Sequence, residues 1–136
     1  LHLCDRRQRQ MCIRDSTYSI YMMKLVTEWV EQMGGLEAMA KNADLRSSML
    51  YDYLDSTDFY KGAAQKASRS RMNVTFRTGN DELDKKFIQE SIDAGMTNLK
   101  GHRLVGGMRA SIYNAMPIEG VEYLIDFMKK FENNNK

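Results

Sequence analysis

The chain has 136 residues, enough for one domain with a real core, and its 43% hydrophobic and 28% charged content is ordinary for a soluble globular protein. No apolar run approaches the roughly 20 residues that span a bilayer, and the basic opening lacks the apolar segment of a secretory signal. The net charge of +2 sits in residues 1–16, where Arg6, Arg7, Arg9 and Arg14 oppose only Asp5 and Asp15; the remainder is neutral and offers no field for nucleic acid.

Residues 1–16 show neither helical nor strand periodicity, and the composition changes abruptly at Thr17. The string from Met11 to Ser16 resembles translated sequencing-adapter DNA. The stretch is therefore expected to be sequencing artefact or disordered terminus, and residues 17–136 are expected to carry the fold. Both cysteines, Cys4 and Cys12, fall in this leader at a spacing that suits neither a zinc ribbon nor a redox pair. The body has no thiol and a single histidine, His102.

From Ser19 to Met33 the apolar residues Ile20, Met22, Met23, Val26, Trp29, Val30 and Met33 recur at three and four, a helical stripe that places Trp29 in a core. Gly34-Gly35 stops it. A second helical pattern runs through Leu36, Met39, Ala43, Met49, Leu50, Tyr53 and Leu54 to the polar run 55–58. Phe59-Tyr60 reads as a short strand before a polar, basic loop over 61–71. Met72 to Arg77 alternates as a half-buried strand does. The turn 78–81 leads into a helix carrying Leu83, Phe87, Ile88 and Ile92, closed by Gly95.

Met96 to Leu99 reads as another short strand, and 100–107 as a loop. Met108 to Tyr113 alternates again, with Arg109, Ser111 and Tyr113 opposite Met108, Ala110 and Ile112. Pro117 marks a helix start, and Ile118, Val121, Leu124, Ile125, Met128 and Phe131 make an amphipathic helix with a tail, 133–136, too polar to pack. The predicted fold class is α+β, with helices on one face of a small, mostly antiparallel sheet. The methionines, mostly at helical spacing, are expected to fill the core.

One constellation is dense in chemistry. Lys100, His102, Arg103 and Arg109 lie on or beside a loop whose glycines, Gly101, Gly106 and Gly107, allow close backbone approach. An arginine fork grips carboxylate or phosphate in a bidentate way, so the loop suits a small dianion; a solvated loop with surface ion pairs is the plainer alternative. The glycine spacing matches neither nucleotide fingerprint. A second basic group, Lys66, Arg69, Arg71 and Arg77, is expected to decorate an exposed loop and strand. No nucleophile-and-base pair, no metal-ligand set and no lysine in a Schiff-base context is present.

The run Gly101-His102-Arg103-Leu104-Val105-Gly106-Gly107-Met108-Arg109-Ala110-Ser111-Ile112-Tyr113-Asn114-Ala115-Met116-Pro117 closely resembles the C-terminal signature of the phosphoserine aminotransferase family. Four further blocks resemble it in the same order: Thr17 to Tyr21, Gly34 to Glu37, Leu50 to Tyr53 and Ser70 to Phe76. The resemblance implies the small C-terminal domain of an aspartate-aminotransferase-type fold. It implies a cytoplasmic, homodimeric enzyme that uses pyridoxal 5'-phosphate to move an amino group between glutamate and 3-phosphohydroxypyruvate, in serine and in some organisms pyridoxine biosynthesis. It implies that His102 and Arg103 bind the substrate's phosphate and Arg109 its α-carboxylate. The family's attachment lysine and most of its cofactor contacts have no counterpart here, so the chain alone is expected to be inactive, with no catalytic and no cofactor-binding residue. The alternative is a free-standing module that binds a phosphorylated carboxylic acid without chemistry. Such a module would bury the helix from Ile20 to Met33, whereas a piece of a larger enzyme would leave it partly bare.

Overall fold

The computed structural model describes residues 6–102 and 106–136, with side chains from Thr17 onward. The chain divides between Ala40 and Lys41 into two compact units. The first contains helix α1 (Arg6–Gln32) and the opening turns of α2 (Gly35–Ser56). Gly34 and Gly35, at φ 97° and 75°, make the corner between them. A Cβ on Gly34 would approach that of Ala38 to 2.9 Å, so the corner needs glycine for space as well as for backbone conformation.

Helix α1 begins at Arg6, inside the stretch expected to lack helix. Arginine, glutamine and methionine are strong helix formers even without an amphipathic pattern, and periodicity misses that contribution. The expected apolar stripe on α1 is bare: Ile20 is 70% exposed and Met23 65%, and Tyr21, Val26 and Met33 are exposed too. Trp29, expected in the core, is only partly buried, and these methionines fill no core.

The second unit holds the rest of α2, β1 (Lys61–Gly62), a 3-10 turn at Lys66–Ser68, β2 (Asn73–Arg77), α3 (Asp81–Asp93), β3 (Met108–Ser111) and α4 (Ile118–Asn135). The three strands pair antiparallel in the order β1-β2-β3, which fits the expected α+β class. Alternation works as read. Val74, Phe76, Met108, Ala110 and Ile112 enter the core, while Thr75, Arg109 and Ser111 lie on the other face.

Side chains of α2, α3 and α4 join those strand residues in one core. Phe87 of α3 is its hub, meeting the rings of Tyr60, Phe76, Phe127 and Phe131 edge-on at 5.1–6.0 Å. Tyr60 is buried, yet its hydroxyl donates to the Met128 carbonyl at 3.0 Å, so the ring enters without an unmet polar group.

Two local expectations are corrected. The strand expected at Phe59-Tyr60 forms two residues later, because the Thr57 hydroxyl accepts from the Phe59 N–H and turns the chain there. Met96 to Leu99 is not a strand: Asn98 takes φ 64°, which no extended segment tolerates, and only Lys100 bridges to Met108. The polar tail stays largely exposed, as expected, but it continues the helix and is tied to it. Helix α4 runs through Asn135, whose amide donates to the Phe131 carbonyl at 2.7 Å and whose oxygen accepts from Lys86 at 2.7 Å, while Lys136 pairs with Glu132 at 2.6 Å.

Candidate anion-binding site

The glycine loop is built from its own backbone. Gly101 N–H donates to the Gly107 carbonyl at 2.9 Å, and Gly106 N–H donates to the His102 carbonyl at 2.8 Å. Gly106 and Gly107 take φ 73° and 65°, which side chains rarely adopt. A Cβ on Gly101 would fall on the Gly106 carbonyl oxygen, and one on Gly107 would come within 2.8 Å of the Phe76 carbonyl oxygen. The glycines thus tie the loop's two described ends together and let Gly107 lie close against β2.

His102 is exposed and lines a cleft of about 370 Å³ between this loop and the first turns of α3. Asp81 and Asp84 line the same cleft. Asp84 is buried and accepts from both the N–H and the hydroxyl of Thr78 at 2.8 Å, so its charge is fixed in place. Lys85 and Lys100 line the cleft as well, so the two acids are matched by two cations beside His102 and the cleft has no net field against an anion. Arg103 lies outside the described residues.

Arg109 stands on the sheet's open face, directly across from Thr75. Its Nε is buried and unpartnered, and no hydrogen bond or ion pair to its guanidinium exists among the described residues. The strand residues that share its face, Asn73, Thr75 and Arg77 on β2 and Ser111 and Tyr113 beside it, include no carboxylate. A donor fork with no acceptor among the described residues has the chemistry to grip an anion. Asn73 also belongs to this face, a role that sequence reasoning missed although strand alternation put it there.

The second basic group is arranged differently. Arg69 forks onto Asp55, with Nη1 to Oδ2 at 2.9 Å, and lies 4.5 Å over the Tyr51 ring; Lys66 also reaches Asp55 at 3.1 Å. Hydrogen bonds from Arg69 and Lys66 hold the Asp55 carboxyl well below the usual carboxylate range. Arg71 pairs with Asp44 at 2.8 Å. These cations brace the 61–71 loop, whereas Arg109 has a fork without an acceptor among the described residues.

The family model for class-V aminotransferases matches residues 15–124, so the chain belongs to the class-V aminotransferase family. Its relatives include the phosphoserine aminotransferase of Pasteurella multocida, 52% identical over 120 residues, and that of Streptococcus agalactiae, 55% identical over 119. Those alignments cover 88% and 87% of this chain but 33% of each relative, so the chain spans about a third of their length. The structure of phosphoserine aminotransferase from Bacillus circulans superposes with a TM-score of 0.85 at 45% identity, covering 88% of this chain and 33% of that one. A pyridoxal-phosphate-bound phosphoserine aminotransferase from Trichomonas vaginalis superposes at 0.78 with 29% identity, over 95% and 39% of the two chains.

Among the described residues no group of three or more histidines, cysteines or acids is arranged for a metal, and no helix is long and apolar enough to cross a membrane.

Proposed function

We propose that residues 17–136 are the C-terminal small domain, with its joining helices, of a phosphoserine transaminase, and that their task is to hold the substrate. In this reading the intact, homodimeric cytoplasmic enzyme moves an amino group between glutamate and 3-phosphohydroxypyruvate. The products are phosphoserine and 2-oxoglutarate, for serine and in some organisms pyridoxine biosynthesis. His102 and Arg103 take the phosphate, and Arg109 takes the α-carboxylate.

The reading rests on Arg109, whose fork has no partner among the described residues, on a strand face without acidic strand residues and beside a glycine-built loop. A cationic grip at each end of the substrate fixes the carbon between them, and such positioning is a large part of what an active site contributes. Pyridoxal phosphate, which the family implies, supplies the electron sink for transamination. The residues present do not fit the task of holding it. A Schiff-base lysine needs a desolvated pocket, whereas every lysine of this chain is exposed. No step through the cofactor is therefore assigned to this chain, and the chain alone is expected to show no transamination. The bare stripe of α1 favours a piece of a larger enzyme over a free-standing module, which would cover it.

The test uses a full-length enzyme that carries this chain. Replacing His102 and Arg103 by Ala is expected to raise the KM for phosphorylated substrate by about a hundredfold, with much less effect on an unphosphorylated analogue. Equal losses on both would overturn the phosphate assignment. Arg109→Lys is expected to raise the KM for glutamate by roughly tenfold or more, because an ammonium cannot reproduce the fork.

A further inference from the structure

On the open face of the sheet Asn73 pairs with Ser111, and Thr75 pairs with Arg109. Asn73 and Arg109 are therefore diagonal neighbours on one face, about 7–8 Å apart by strand geometry, within reach of one small ligand. The Asn73 side chain is oriented by two hydroxyls that donate to its Oδ1, Ser111 at 3.1 Å and Tyr113 at 3.3 Å. With its oxygen taken, the amide presents only its two N–H donors, and these make no hydrogen bond among the described residues. Arg109 beside it also presents donors alone, with a buried Nε unmet. Two sets of donors thus lie side by side on a face whose strand residues include no acid.

We infer that Asn73 is a second anchor for the carboxylate at Arg109, its Nδ2 donating to one carboxylate oxygen while the guanidinium grips the group. Ser111 and Tyr113 are positioning residues: they hold the amide with its nitrogen toward the ligand. The inference rests on the reading of Arg109 as the carboxylate clamp. It adds geometric choice to that clamp, because a fork plus an amide donor recognises a planar carboxylate better than a spherical anion.

The test is steady-state kinetics of the full-length holoenzyme carrying this chain, with inorganic phosphate as a competitive probe of the His102 and Arg103 side. Asn73→Asp keeps the oxygen that Ser111 and Tyr113 bond, so the strand pairing survives, but it turns the donors into a negative acceptor. It is expected to raise the KM for glutamate by at least about tenfold and to leave the inhibition constant of phosphate within about twofold. Tyr113→Phe is expected to raise the same KM by about two- to threefold, since Ser111 still orients the amide. An unchanged glutamate KM in both Asn73→Asp and Asn73→Ala, with Arg109→Lys still impaired, would overturn the role of Asn73 alone. A rise of equal size for glutamate and phosphate would also overturn it, as the mark of a structural knot between β2 and β3. If Arg109→Lys leaves the glutamate KM unchanged, the carboxylate clamp itself has failed and Asn73 loses its ligand with it.

Discussion

Helices α1 and α4 look alike in sequence, each with an apolar stripe at a spacing of three and four, yet they end in opposite environments. In α4 Val121, Leu124, Ile125, Met128 and Phe131 are all buried, whereas on α1 Ile20, Met23, Val26 and Met33 remain exposed. Periodicity states that a helix has a face to bury. It does not state that the covering surface lies in the same chain. The difference locates the folding energy in the second unit and leaves α1 as a surface whose apolar side is unspent.

The comparison can be broken most sharply at Phe87. Phe87→Ala removes the ring on which four aromatic neighbours converge, and chemical denaturation should show a loss of about 3–5 kcal/mol. A loss below about 1 kcal/mol would mean that the second unit is not the cooperative core described here. Gly107→Ala should cost about 1–3 kcal/mol, from the positive φ and the approach to the Phe76 carbonyl, and should also loosen the loop that carries His102.

Next in size is the knot around Glu132, where Tyr53 and Thr57 each donate at 2.7 Å and Lys136 pairs at 2.6 Å. Burial raises the Glu132 pKa, but the bonds from Lys136, Thr57 and Tyr53 outweigh it and hold the carboxyl below its usual 4.5. A carboxyl lowered in the folded state contributes fully above its unfolded pKa, and that contribution is lost as the pH falls through the folded value. The denaturation midpoint should therefore drop below about pH 4.5, and Glu132→Gln should flatten the drop while costing about 1–2 kcal/mol at neutral pH. The smallest effect belongs to α1. Ile20→Ser should change stability by no more than about 0.5 kcal/mol, as expected at an exposed site. A larger loss would show that the stripe is covered after all.

The parts legible in the sequence were those governed by local pattern. The alternation of Met108 to Ile112 gave its two faces correctly, and Gly34-Gly35 marked a real corner. The parts that escaped depend on contacts or on backbone states that no pattern encodes. Asn98 takes a left-handed conformation and cancels a strand, and Asn135 is drawn into α4 by Lys86 from another helix. At the candidate site, Arg109 was readable from its chemistry and alternation as a candidate anion ligand, and the structure leaves its fork without an acceptor among the described residues. Asn73 was not, because its significance lies in a cross-strand register with Ser111 that only pairing reveals.

The edges of the sheet bear on how this chain behaves when concentrated. Strand β1 is two residues long, and the outer side of β3 is occupied where Arg109 N–H donates to the Leu99 carbonyl at 2.8 Å. Neither edge offers the long row of free backbone groups from which intermolecular strands grow. Self-association of this chain would therefore proceed through the greasy flank of α1, giving helical, detergent-reversible clusters that do not bind amyloid dyes.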